Sequence, residues 1–144
     1  MAGDLHGQVS GRLHQVDQRY TPVRRAVVDV LASAARPVTI PEILEADGRL
    51  AQSSVYRTLA VLEQAGVVHR FPGPAGFARH ELTEELTEHH HHLVCTQCGA
   101  VEDLPASRRL ERTVAKAVEE AASGAGFRCQ GHRLDLLGVC ARCE

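Results

Sequence analysis

Tryptophan is absent from this chain of 144 residues, and tyrosine and phenylalanine together make up only 3% of it. So few rings exclude an aromatic platform on which RNA or single-stranded bases would stack. Long apolar runs are missing too. None approaches the ~18 residues of a membrane span, and Met1–Ser10 lacks the apolar core of a signal peptide. A soluble, cytoplasmic protein with no membrane partner is the expectation. The net charge is only −2, which excludes a protein that coats nucleic acid by charge alone. That average conceals a split. Residues 1–80 carry nine arginines against seven acids, whereas residues 81–144 carry seven basic residues against eleven acids. A mildly basic first half and an acidic second half imply two modules with different partners.

What the chain does have is five cysteines and nine histidines. Cys95 and Cys98 form one C-x-x-C pair, and Cys140 and Cys143 form a second. In a reducing compartment two such pairs read as metal binding rather than disulfides. Four thiolates close a tetrahedral shell that suits a structural Zn2+. Cys129 is left over and is expected to be a small buried or half-buried residue.

The first module reads as helices followed by a hairpin. A weak helical stripe runs through Leu5, Val9, Leu13 and Val16. Thr21 and Pro22 then mark an N-cap and first helical position, and a helix is expected from Pro22 to about Ala34. Thr39 and Glu42 form a capping box for a short helix ended by Asp47-Gly48. Ser53 or Ser54 is expected to cap a third helix, with Val55, Leu59 and Leu62 inward and Gly66 past its end. The period then becomes two. Val67–Phe71 and Phe77–Leu82 read as strands joined by a turn over residues 72–76. Three helices and a hairpin make a winged helix-turn-helix over residues 1–82, whose last helix would enter a DNA major groove.

Residues 83–88 are polar and acidic and read as a hinge. Residues 89–144 follow as an α/β module with strands near His89–Val94, Ala100–Leu104 and His132–Val139, and a helix from Ser107 to about Ala122. The whole is thus α+β. This second module is short and its core thin, so a metal staple and a partner subunit are expected to stabilise it.

Two features carry chemistry. The third helix leaves Ser54, Tyr56 and Arg57 free to face DNA, where Arg57 suits a guanine edge or a phosphate. Arg19 and Arg24 add charge suited to phosphates. His89-His90-His91-His92 lies inside the chain, directly before Leu93-Val94-Cys95. Strand alternation sends His90 and His92 to one face and His89 and His91 to the other, which allows two distinct metal sites. Imidazole suits zinc, iron, nickel and cobalt alike, so the tract chooses no metal.

In order and spacing, the winged helix, HHHH-L-V-C-x-x-C, the helix and the final C-x-x-C resemble the ferric uptake regulator family of bacterial metal-responsive repressors. Tyr20-Thr21-Pro22-Val23-Arg24-Arg25 is similar to its R-x-T-P-x-R segment, and Ser54-Val55-Tyr56-Arg57-Thr58-Leu59 to its T-V-Y-R-x-L. The resemblance spans roughly Arg12 to Cys143. It implies a homodimer that binds palindromic double-stranded operator DNA when metal-loaded, and a C-terminal dimerisation domain holding structural zinc on Cys95, Cys98, Cys140 and Cys143. A regulatory Zn2+ or Fe2+ site would use His90, His92, Glu81 and His69. A further site would use His89, His91, Glu111 and His132, with Asp103 in the same region. Pro37 stands where iron-responsive members often have histidine, and no cysteine precedes the tract as in zinc-responsive members. His80 replaces a usual aromatic residue, as a ligand or a solvent-facing strand residue. Zinc is favoured because His69, Glu81, His90 and His92 would complete a tetrahedron.

The expectation is therefore a metal-dependent repressor of metal-homeostasis genes and no enzyme, most simply zinc-responsive. Iron-responsive or peroxide-sensing regulators of the same family are the alternatives. A zinc hydrolase would need an open coordination position and a general base. Glu84, Glu85 or Glu88 could supply the base, but no cleft-forming motif accompanies them. A metal buffer would have no use for a winged helix.

Overall fold

The structure, a computed structural model, describes residues 4–73 and 77–144. The tip of the expected 72–76 turn, residues 74–76, lies outside the described residues. Helix α1 (Leu5–Gln15) is capped by Asp4 and ends before Asp17, whose φ is +57°. In α2 (Pro22–Ala34) the Thr21 hydroxyl accepts from the Arg24 amide. Thr39 and Glu42 form the reciprocal capping box of α3 (Ile40–Ala46). Helix α4 (Gln52–Gln64) starts earlier than expected. Its N-cap is Ala51, with no side-chain cap, and the Ala51 carbonyl already accepts from the Val55 amide. Ser53 and Ser54 thus lie inside the first turn. Gly66 follows at φ +74°, a left-handed conformation that glycine adopts without Cβ strain.

The wing has one strand more than the sequence indicated. Strands β2 (Val68–Phe71) and β3 (Arg79–Leu82) form the hairpin, and β1 (Val38–Thr39) adds to the other edge of β3, giving the order β1-β3-β2. Two residues have no readable period, which is why β1 escaped notice. Val9, Leu13, Val27, Val28, Ile43, Val55, Leu62 and Val67 are all fully buried and weld the helices to this sheet.

A single 3-10 turn (Glu84–Leu86) leads to the second sheet, ordered β5-β4-β6. Strand β4 (His90–Cys95) pairs antiparallel with β5 (Val101–Pro105) and parallel with β6 (Asp135–Gly138). Between β5 and β6 runs α5 (Arg108–Gly124), capped by Ser107. Its Leu110, Val114 and Val118 are only half-buried, and Leu137 on β6 is 72% exposed. Arg12 on α1 donates to the Gly66 carbonyl at 2.6 Å and to Glu85 at 2.8 Å, tying the first module to the connecting turn. Cys129 is exposed rather than buried, because residues 125–134 join no sheet; its thiol donates to the Gly131 carbonyl. No helix among the described residues is long and apolar enough to cross a membrane.

Candidate metal centres and nucleic-acid interface

Strand register assembles the first cluster. His92 on β4 lies opposite Asp103 on β5 and Asp135 on β6, so all three side chains share one face. From the wing, β3 brings up Glu81. Its Oε1 lies 2.6 Å from His92 Nε2, and both its oxygens lie 3.3 Å from His90 Nε2. Asp103 Oδ1 is 3.8 Å from His90 Nε2 and 3.9 Å from His92 Nε2. One ligand atom from each of Glu81, His90, His92 and Asp103 lies within 4.8 Å of all the others.

These residues fit a dication by the chemistry of their surroundings. His90 Nδ1–H donates to the Glu88 carbonyl at 2.7 Å, and His92 Nδ1–H donates to Asp135 at 3.1 Å. Both rings therefore aim Nε2 into the cluster, as outer-shell acceptors arrange in metal sites. Phe71 packs edge-on against His92, with ring centroids 4.7 Å apart. Asp103 Oδ1 is buried with no hydrogen-bond partner. Burial and the Glu81 carboxylate push the Asp103 pKa up. Burial opposes charge on His90 and His92, but the Glu88 carbonyl and Glu81 outweigh it at His90, and Glu81 with Asp135 at His92, so both pKa values rise. Carboxylates and imidazoles packed this way would each be satisfied by a shared cation.

Three expected placements differ. Asp103 stands with Glu81, His90 and His92, and not with His89 and His91. The ladder that sets His92 against Asp103 fixes this, which the place of Asp103 five residues after Cys98 could not. His69, expected among the same ligands, is turned to Arg133 instead, with Arg133 Nη2 2.6 Å from His69 Nε2. Burial and that guanidinium lower the His69 pKa. His80 is neither solvent-facing nor in a cluster. It is 5% exposed on β3, the central strand of the wing sheet, with Nδ1 unpartnered, and burial depresses its pKa to about 4.

The opposite face of β4 builds the second cluster. His89 Nε2 lies 3.1 Å from Glu111 and 3.3 Å from His132 Nε2; His132 Nε2 lies 3.0 Å from Glu111, and His91 also contacts Glu111. Hydrogen bonding to His91, ahead of the other charges, lowers the Glu111 pKa. Glu84 of the connecting turn meets His89 Nδ1 at 3.0 Å. His132 precedes β6 rather than lying on it. The sequence reading missed Asp135 and Arg133, and Glu84, which it offered as a general base, stands instead beside His89. Only the parallel pairing of β4 with β6 would have exposed Asp135.

The third cluster comprises Cys95, Cys98, Cys140 and Cys143. Cys98 and Cys140 sulfurs lie 3.7 Å apart, close to the ~3.8 Å edge of a tetrahedron with metal–sulfur bonds of ~2.3 Å. Amides of Cys98 and Cys140 point at Cys95 Sγ and pull its pKa down to about 6. Hydrogen bonding to Cys140 and then Cys98 pushes Cys143 up to about 12. Such crowding of thiols fits a site whose cation offsets their repulsion.

On α4, Val55, Thr58, Leu59 and Leu62 are buried, while Tyr56 is 56% exposed, Arg57 is exposed and Ser54 is half-buried. Arg19 is exposed. Arg24 is half-buried and donates to the Arg19 carbonyl at 2.7 Å, bracing the turn ahead of α2.

Residues 15–137 match the sequence model of the Ferric uptake regulator family. The Ferric uptake regulation protein of Bacillus subtilis (strain 168) is 32% identical over 144 residues, spanning 95% of this chain and 93% of its own length. Among solved structures, the Vibrio cholerae ferric uptake regulator superposes with a TM-score of 0.67 at 25% identity, covering 89% of this chain and 96% of that one. A zinc-bound manganese uptake regulator gives 0.61 at 29% identity, covering 92% and 98%.

Proposed function

The chain belongs to the ferric uptake regulator family and is a metal-responsive transcriptional regulator; from that premise we propose a zinc-responsive repressor that acts as a homodimer on palindromic operator DNA. The observation that carries the reading is the convergence of Glu81, from the wing, with His90, His92 and Asp103, from the second module. Donors from two modules meet only in one arrangement of the wing against β4. A bound dication supplies the attraction that favours that arrangement over others, which is the differential affinity a switch requires. Glu88 and Asp135 hold the imidazoles in register, and Phe71 buttresses His92.

Residues 83–88 then serve as the hinge between a DNA-binding domain (1–82) and a dimerisation domain (89–144). The four cysteines hold structural zinc in that second domain. Four donors, two of them imidazole, suit zinc in tetrahedral geometry. Ferrous iron is the second reading, favoured by the two carboxylates and by the B. subtilis relative. The His89, His91, Glu111 and His132 cluster is a further metal site of the same domain.

Reading of DNA falls to α4, with Tyr56, Arg57 and Ser54 toward the major groove, and Arg19 and Arg24 toward phosphates. The test is operator selection from a random duplex pool, followed by affinity measured with zinc, iron and manganese buffered separately. Arg57→Ala is expected to weaken the selected operator by about 1–3 kcal/mol while barely changing unrelated DNA. Operator affinity that ignores all three metals would defeat the proposal.

A further inference from the structure

Glu84 opens the 3-10 turn (Glu84–Leu86) between the modules, and that turn is held to the first of them. The Thr83 amide donates to the Val67 carbonyl at 3.0 Å, and its hydroxyl to the Gly66 carbonyl at 3.2 Å. Arg12 meets Glu85 at 2.8 Å, and Leu86 packs against the first module's core. From this anchored turn the Glu84 carboxylate reaches the second module, where its Oε2 lies 3.0 Å from His89 Nδ1. His89 stands just ahead of β4, outside the ladder that includes His91, and unlike His91 it is exposed. An imidazole binds metal through a lone pair, so the tautomer that offers Nε2 carries its proton on Nδ1, where Glu84 accepts the hydrogen bond. Nε2 then faces Glu111 at 3.1 Å and His132 Nε2 at 3.3 Å.

We propose that Glu84 is a positioning residue for the second cluster: it aims His89 at Glu111 and His132, and it ties a dication bound there to the first module. The proposal rests on reading His89, His91, Glu111 and His132 as a metal site. An outer carboxylate of this kind fixes both the tautomer and the direction of the ring it holds. A dication that pins His89 thereby pins Glu84, and so favours the placement of the turn over others it could take.

The test uses the full chain carrying His90→Ala, with its cysteine site already loaded with zinc, so that zinc titrated against a chromophoric chelator reports the second cluster. Glu84 is exposed, so its replacement leaves packing intact. Glu84→Ala is expected to weaken zinc by about ten-fold, the scale on which such outer partners act. Glu84→Gln, whose amide oxygen still accepts from Nδ1–H, is expected to restore most of that loss. Saturating zinc is expected to slow amide hydrogen exchange over residues 83–88, and to slow it no longer in Glu84→Ala. Glu84 also lines the cavity of about 170 Å³ beside His90 and His92, so a last comparison uses chains in which His90 is intact. There Glu84→Ala is expected to make the zinc response of operator binding shallower, as His89→Ala does, and the two together no shallower than either. Additive loss would assign the effect to charge at the hinge site and overturn the proposal. Unchanged zinc affinity in Glu84→Ala would overturn it too. Should the His90→Ala chain bind no zinc beyond its cysteine site, the reading of the second cluster itself would fail, and the proposal with it.

Discussion

A buried carboxylate oxygen without a hydrogen bond costs about 1–3 kcal/mol unless another charge meets it, and Asp103 Oδ1 is such an atom. Asp103→Asn is therefore expected to weaken metal binding at the hinge by roughly 10–100-fold. The metal-free fold is expected to be at least as stable as before, because the buried charge is removed, and the cysteine site to keep its zinc. Chelator competition and a thermal melt read the two effects separately; unchanged affinity would remove Asp103 from the ligand set. His80 gives a second expectation. Its pKa of about 4 lies below the ordinary 6.5, so the unfolded chain takes up the proton first as pH falls. Stability present above pH 6.5 is thus lost progressively down to about pH 4. In His80→Phe, which also removes the unpartnered Nδ1, that acid-side loss is expected to disappear. Melting temperatures measured across this range check the sign.

Elements with chemical punctuation were legible before any coordinates. Thr21-Pro22 and Thr39/Glu42 state helix starts in side-chain hydrogen bonds, and Gly66 states an end. Alternation along the histidine tract likewise separates His90 and His92 from His89 and His91, which is how the structure distributes them between clusters. Pairing between distant strands was not legible. Asp103 and Asp135 join His92 only through the registers of β5 and β6, and β1 is too short to carry a pattern. Helix α5 and strand β6 leave an apolar surface open in one chain. Leu136, Leu137 and Val139 are 47%, 72% and 46% exposed, and no residue of α5 is buried. A second copy is expected to cover it. Leu137→Asp should shift sedimentation from dimer to monomer while leaving helical content unchanged. A variant that sediments like the parent would place the interface elsewhere.

At the scale of the whole molecule, the first module is a packed core with an exposed arginine on α4, and the second is a thin sheet crowded with histidines, carboxylates and thiols. The basic and acidic halves of the sequence divide in the same way. Among the described residues, coupling between them includes Arg12 to Glu85, Arg133 to His69, Phe71 against His92, and Glu81 to the two histidines. Only the last of these gathers several metal donors. A ligand with equal affinity for two arrangements shifts neither, so the account stands on the Glu81–His90–His92–Asp103 cluster telling them apart. The direct test is operator affinity of His90→Ala and His89→Ala across a buffered zinc series. His90→Ala is expected to lose zinc-dependent binding while keeping its cysteine-bound zinc and its dimer, and His89→Ala to respond still, with a shallower rise. Complete and equal loss in both variants, or a His90→Ala protein that answers zinc like the parent, would contradict it.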